Sequence, residues 1–211
     1  MYACRPFFSV FERYLLTVPT EYLDDFFRHW TPDQILKLRS LSSAVFYAVE
    51  AYIAYAWDPE KLLRRCFYDV RAFRRELDAC RAIISGSEAL GFFSRHEFLG
   101  NDLDIYVPLH GLVRLGRYLD RIGYTYQRSG GKAEDFDLAA ITFTSRRVSS
   151  EETTLAIRAL DSYTFSAFNF AAPPSTRDPD ATPARVQLIA VRGDPIELII
   201  NSFHSSEFSD R

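Results

Sequence analysis

Two aspartates at alternate positions of one short segment are the side chains in this sequence with the clearest capacity for chemistry. Asp102 and Asp104 lie in the run Asp-Leu-Asp-Ile-Tyr-Val, whose alternating pattern predicts a β-strand over 103–107. Residues two apart on a strand share a face, so these carboxylates repel each other unless a cation lies between them or the strand end is solvated. Mg²⁺ is the natural cation, because it prefers oxygen ligands and leaves positions for phosphate oxygens.

A glycine and a serine precede the aspartates, at the end of another predicted strand. The apolar run 82–85 ends at Gly86 and Ser87, and a short helix is predicted over 88–93. Glycine allows a backbone to approach phosphate closely, and the N–H groups at a helix start attract anions. Together the two segments predict a site for a nucleoside triphosphate carrying Mg²⁺, at which two metal ions would activate an attacking hydroxyl and stabilise the departing pyrophosphate.

The order of these segments resembles the nucleotidyltransferase superfamily, which has the polymerase-β-like fold. The motif of that family is an apolar strand, Gly-Ser or Gly-Gly, a spacer, and then Asp-x-Asp on the next strand. Residues 84–87 and 102–105 match its two parts, within a resemblance that covers residues 81–203. The resemblance implies that the Gly-Ser pair holds the triphosphate, that the two aspartates ligate Mg²⁺, and that a nucleotidyl group passes to an unknown acceptor.

The family also places a third acid on a later strand, where it helps to bind the catalytic metal and deprotonates the nucleophile. The strand predicted over 185–189 holds Gln187 at the expected position, and a neutral amide cannot act as a general base. Glu197 is the alternative, although Pro195 predicts that it lies on a helix. Two hypotheses stay open: a nucleotidyltransferase that uses Gln187 or Glu197 as its third site residue, or a catalytically inactive protein.

The elements that position this site follow from the hydrophobic pattern beyond residue 80. Helices are predicted over 112–122 and from residue 194 onward, and strands near residues 103–107, 124–126, 139–144, 154–159 and 186–191. Strands that alternate with helices predict an α+β fold. The sequence therefore predicts a helical N-terminal segment, residues 1–80, followed by an α+β domain, residues 81–211, which the resemblance implies is a mixed-sheet nucleotidyltransferase-like domain.

The first 80 residues are predicted to be helical almost throughout. Thr31-Pro32-Asp33-Gln34 has the residues of a capping box, with proline at the first helical position. From there an apolar stripe over 38–56 predicts one long helix. A second stripe over 63–80 predicts another, with a break at Asp69.

Part of this helical segment resembles an F-box. The run VPTEYL at 18–23 and the spaced apolar residues after it carry the resemblance, which covers residues 18–57. In that family the helices dock on the adaptor of a cullin-type ubiquitin ligase. The resemblance implies an interaction protein that recruits such an adaptor, while a helical cap packed on the sheet domain is the alternative.

The whole order of segments also resembles a group of fungal proteins of unassigned role. The shared segments lie at residues 73–74, 84–90, 102–107, 186–189 and 203–205. That group implies a nucleotidyltransferase-like fold and indicates no substrate. Its members often continue beyond the Phe-His-Ser segment, so truncation of this chain stays open.

Composition limits the classes of protein to which the chain can belong. Its 211 residues are 47% hydrophobic and 15% aromatic, which is enough for a packed core and excludes a disordered or collagen-like chain. The net charge of −3, from 25 basic and 28 acidic side chains, argues against an extended nucleic-acid partner or a membrane surface. The most apolar runs contain charges or are too short to span a bilayer. We expect an intracellular protein of the cytoplasm or nucleus.

Overall fold

The computed structural model describes residues 8–95, 102–127, 135–149, 166–174 and 183–203. The chain divides into two compact units, which we call the helical unit (residues 1–62 with 90–97) and the sheet unit (residues 63–89 with 98–211). This division differs from the boundary predicted after residue 80. The reason is that Leu63, Phe73 and Cys80 are buried in the hydrophobic core of the sheet unit.

The helical unit is built from short helices with well-defined ends. They are α1 (Val10–Thr17), α2 (Thr20–Phe27), α3 (Pro32–Leu38), α4 (Ser43–Ala56) and α5 (Pro59–Leu63). The capping box predicted between Thr31 and Gln34 is confirmed at the start of α3. The single long helix predicted over 38–56 is wrong, because the Ser42 hydroxyl accepts the N–H of Val45 and begins a new helix there.

One arginine from later in the chain completes the helical unit. Arg95 follows helix α7 (Gly86–Ser94), of which residues 90–94 belong to this unit. Its guanidinium donates hydrogen bonds to the Tyr52 hydroxyl (2.6 Å) and to the carbonyls of Phe27 and Trp30. Phe27 is the last residue of α2, so Arg95 supplies a donor where a helix leaves its carbonyls unsatisfied.

Replacing this arginine is expected to destabilise the helical unit. Arg95→Ala removes three hydrogen bonds from a charged donor, and we expect a loss of roughly 2–4 kcal/mol in the free energy of unfolding. Arg28→Ala is the control, because Arg28 pairs with the exposed Asp25 alone among the described residues and such pairs contribute about 0–1 kcal/mol. Urea denaturation of the full chain measures both, and equal losses in the two variants would contradict the role given to Arg95.

The sheet unit is a mixed α/β structure. Its elements are α6 (Val70–Cys80), β1 (Ile83–Ser85), the start of α7, β2 (Leu103–Pro108), α8 (Leu109–Arg121), β3 (Thr125–Gln127), α9 (Phe136–Ser149), β4 (Ser166–Ala171), β5 (Arg185–Val191) and α10 (Pro195–Phe203). The strands form one sheet in the order β1-β2-β5-β4-β3. Strands β2 and β5 are parallel and the other pairs are antiparallel. The predicted α+β class with a mixed sheet is confirmed, and the nucleotidyltransferase-like identity of the unit stays a prediction.

One predicted strand is a helix. Residues 139–144 lie within α9, because the Asp135 carboxylate accepts the N–H of Asp137 at the helix start and Phe136 and Ala140 are buried in the core. The β-branched residues of this stretch favour a strand locally, and tertiary packing overrides that preference. The strand predicted over 154–159 and residues 204–205 of the Phe-His-Ser segment lie outside the described residues.

The two faces of the sheet have different surroundings. Alternate residues of β2 and β5, such as Leu103, Ile105 and Leu188, are buried in the main core. On the opposite face Tyr106 and Ile189 are buried near the strand ends and pack with apolar residues of α10. The same face is polar at the other end of the strands, and the candidate site lies there. Within the described ranges, no helix combines the length and the apolar character that a membrane span requires.

Candidate functional site

A row of polar residues crosses the five strands that the structure describes, at one level of the sheet. Ser85 pairs with Asp104, and Asp104 pairs with Gln187. Gln187 in turn pairs with Asn169, which pairs with Gln127. Cross-strand partners point to the same face, so the row presents one hydroxyl, one carboxylate and three carboxamides side by side. We call these five residues the polar row.

An ion pair lies beside the polar row. Asp102 and Arg185 precede Asp104 and Gln187 by two residues each, which places them on the same face. The Arg185 Nε atom lies 2.7 Å from Asp102 Oδ1. That oxygen is buried and accepts no hydrogen bond among the described residues, so the contact is an ion pair without hydrogen-bond alignment.

A groove opens beside the Asp102–Arg185 ion pair and the three carboxamides of the polar row. Its volume is about 250 Å³. Residues of β3, β4 and β5 line it together with Asp102. A space of this size suits a small polar ligand, because the polar side chains around it provide both hydrogen-bond donors and acceptors.

The predicted Gly-Ser segment and the aspartates do come together in the structure. Gly86 begins α7 with φ of +75°, a conformation that glycine adopts without strain. A Cβ atom at this position would overlap Asp104 Oδ2 and lie 2.9 Å from the Asp104 Cγ atom. The Asp104 carboxylate therefore packs directly against the first residue of the helix. Ser87 lies in the first turn of α7 and is partly buried.

A buried glutamate beside the aspartates is a site residue that the sequence reasoning missed. Glu88 is 8% exposed, in the first turn of α7. Its Oε2 atom lies 3.3 Å from Arg65, while its Oε1 atom is buried without a hydrogen-bond partner among the described residues. The sequence did contain a signal for this residue. Glu88 directly follows the Gly-Ser pair, so it lies in the first turn of the same helix.

Burial and like charges act together on one carboxyl group. Partial burial raises the pKa of Asp104, and the negative charges of Asp102 and Glu88 raise the pKa further. A cation placed among these groups would relieve the repulsion. The ionised form of Asp104 is therefore the form that a bound cation stabilises.

Of the two residues predicted as alternatives for the third site residue, Gln187 is the one next to the Asp pair in the sheet. Gln187 lies directly beside Asp104 in the parallel pair β2–β5. Its Nε2 atom donates a hydrogen bond of 2.7 Å to Asn169 Oδ1. Glu197 lies in the first turn of α10 and is exposed, as Pro195 predicted. The strand register thus identifies Gln187 as the neighbour of the Asp pair.

These residues fit a magnesium ion only in part. No group of three His, Cys, Asp or Glu residues that could hold a metal ion occurs in the part of the chain that the structure describes. Asp102 and Asp104 offer two carboxylates, and Mg²⁺ is commonly held by one or two carboxylates with water and substrate phosphates as its other ligands. The Glu88 Oε1 atom, which is buried without a hydrogen-bond partner among the described residues, agrees with a cation-binding role for this place.

The F-box-like segment forms the core of the helical unit. Of the residues that carry the resemblance, Leu23, Phe27 and Ile35 are buried there. Tyr22 and Leu36 are 61% and 44% exposed. Only exposed residues of this kind are available to an adaptor, and the recruitment of a ubiquitin ligase through residues 18–57 stays a prediction.

Comparisons of the chain with protein-family models, with curated proteins and with solved structures gave no match. The resemblances to nucleotidyltransferases and to F-box proteins are therefore untested and stay predictions. Function has to be inferred from the polar row, the Asp pair and the close approach of Gly86.

Proposed function

We propose that the protein binds a magnesium–nucleoside triphosphate at the polar end of the sheet. The observation that carries the proposal is the packing of Gly86 against Asp104, which brings the start of α7 to the carboxylates. Asp102 and Asp104 would hold the ion, and the backbone N–H groups at Gly86 and Ser87 would meet the phosphates. The ion would supply the positive charge that lets a triphosphate approach the two carboxylates.

Electrostatics explain why a cation is needed for this binding. Asp104 packs against the start of α7, and Glu88 lies in the first turn of the helix. Both carboxylates oppose the attraction of a helix N-terminus for phosphate. A free triphosphate would therefore be repelled, whereas a triphosphate carrying a divalent cation would match the charge of the site.

Transfer of a nucleotidyl group needs more than this binding. An acceptor hydroxyl must lose its proton, and the Gln187 carboxamide cannot take it. The amide group of Gln187 instead donates to Asn169. We therefore place nucleotide binding first, and transfer to an unknown acceptor as a step that requires a base other than Gln187.

Removing the two carboxylates together is expected to abolish triphosphate binding. Wild-type protein should bind at least one of ATP, GTP, CTP and UTP in the presence of Mg²⁺, by isothermal titration calorimetry. Asp102→Asn/Asp104→Asn removes two charged contacts at about 1.5–3 kcal/mol each, so binding should weaken about a hundredfold or more. Asp120→Asn, an exposed carboxylate on α8, is the control and should bind as wild type does. Absence of binding in the wild type, or unchanged binding in the double variant, would refute the proposal.

A further inference from the structure

Each carboxylate of the Asp pair has a close neighbour in the protein. Asp102 Oδ1 faces the Arg185 Nε atom at 2.7 Å and is buried. Asp104 Oδ2 packs against Gly86, where even a Cβ atom would overlap it. The Arg185 guanidinium therefore already lies beside Asp102, where a two-metal site would place one of its ions.

The charge of the site also differs from that of a two-metal site. The position beside Asp104 that a third acid would fill is the neutral Gln187, whose Nε2 atom donates to Asn169. Two residues before it lies Arg185, a permanently charged side chain. Asp102, Asp104 and Arg185 together carry a net charge of −1, which one divalent cation reverses to +1. Glu88 adds little net charge because it pairs with Arg65, so a second divalent cation would raise the sum over these side chains to +3 and would depend on the triphosphate alone for its balance.

We infer that Arg185 takes the place of one metal ion, so that the site holds a single divalent cation with its triphosphate. This inference rests on the proposed function and sharpens it. A guanidinium can neutralise Asp102 and donate hydrogen bonds to phosphate. It does not lower the pKa of a hydroxyl as a coordinated metal ion does. The protein would therefore bind the nucleotide without activating an acceptor.

The number of bound cations tests this directly. Mn²⁺ serves as the probe, because electron paramagnetic resonance counts the free ion. The full chain is mixed with an equimolar amount of the α,β-methylene analogue of the triphosphate that binds best in calorimetry, and is titrated with manganese chloride. Wild-type protein is expected to bind one Mn²⁺ per chain at saturation. Arg185→Met/Gln187→Glu, which removes the guanidinium and supplies a third acid, is expected to bind two.

Mn²⁺ affinity measured without nucleotide provides a second readout. Arg185→Met should bind Mn²⁺ about tenfold more tightly than the wild type, because a positive charge a few ångströms from the ion is removed. Arg71→Met, which removes an exposed charge on α6, is the control for net charge and should leave the affinity unchanged. Arg185→Lys keeps the charge and is expected to keep one Mn²⁺ per chain.

The outcomes separate this inference from the proposed function. Two Mn²⁺ ions per chain in the wild type, or a single ion in Arg185→Met/Gln187→Glu, would overturn the role of Arg185 and leave nucleotide binding standing. Equal Mn²⁺ affinities in Arg185→Met and Arg71→Met would overturn it as well. A wild type that binds neither Mn²⁺ nor the analogue would refute both proposals.

Discussion

Gly86→Ala is expected to lower the free energy of unfolding by roughly 2–5 kcal/mol and to remove triphosphate binding. A side chain at φ of +75° costs about 1–2 kcal/mol. Forcing a methyl group against the Asp104 carboxylate adds about 1–3 kcal/mol, as overpacking does elsewhere in folded proteins. The displaced carboxylate would no longer lie at the start of α7, so the ion and the phosphates would lose their common position. Urea denaturation and calorimetric titration measure the two effects.

Two further variants separate backbone strain from the contact with the carboxylate. Gly193→Ala is the matched control, because no atom of the described residues lies within 4 Å of a Cβ atom there. We expect it to change stability by less than about 0.5 kcal/mol. In Gly86→Ala/Asp104→Ala the two nearest clashing atoms are gone, so the packing part of the loss should be recovered and the strain should remain. A full loss in that double variant would show that the carboxylate contact is not what requires glycine.

The part of the site that local pattern controls was predictable from the sequence. The apolar run before Gly86 and the alternation around Asp102 and Asp104 predict two strands, and β1 and β2 pair with Ser85 opposite Asp104. Spacing on one strand settles which residues share a face, and a glycine before a helix is a recognisable signal. These inferences need only a few neighbouring residues, and that is why they hold.

The rest of the site depends on contacts between distant segments. Asn169, Gln127 and Arg185 join the Asp pair only through the order and register of β5, β4 and β3. A shift of one residue in any pairing would turn such a side chain to the opposite face, and local propensity does not specify that register. The alternation around Asn169, which lies between the buried Phe168 and Phe170, was the one signal for its exposure on the site face.

Long-range packing also explains the errors in the predicted elements. Residues 139–144 have the β-branched composition of a strand, yet α9 places Phe136 over Gly116 of α8, where a Cβ atom would overlap the ring. A glycine that admits an aromatic ring from another helix leaves no trace in the local pattern. Helix α6 likewise belongs to the sheet unit because Cys80 packs against Gly111 of α8. Neither contact follows from periodicity.

Asp104→Asn is expected to have opposite effects on folding and on ligand binding. The pKa of Asp104 is raised by burial and by the charges of Asp102 and Glu88, so the folded protein holds this proton more tightly than the unfolded chain does. The stability that protonation contributes is complete below the ordinary pKa of 3.8 and is lost as pH rises through the raised value. At pH 7 the ionised carboxylate therefore destabilises the protein, and the neutral isostere should be more stable.

The pH dependence and the response to magnesium triphosphate distinguish the stabilisation expected for Asp104→Asn from a general effect of removing a charge. The advantage of Asp104→Asn in urea denaturation should be largest near pH 7 and should shrink as pH falls through the raised pKa of Asp104. Saturating magnesium triphosphate should reverse the order of the two stabilities, so that the wild type becomes more stable than Asp104→Asn. At a ligand concentration a hundred times the dissociation constant, the ligand stabilises wild-type protein by about 2.7 kcal/mol, and the variant should gain almost nothing.

A variant that is less stable than the wild type at pH 7 without ligand would show that the Asp104 carboxylate stabilises the fold. The expected reversal would instead show that the ionised Asp104 carboxylate destabilises the free protein and stabilises the protein once the cation is bound.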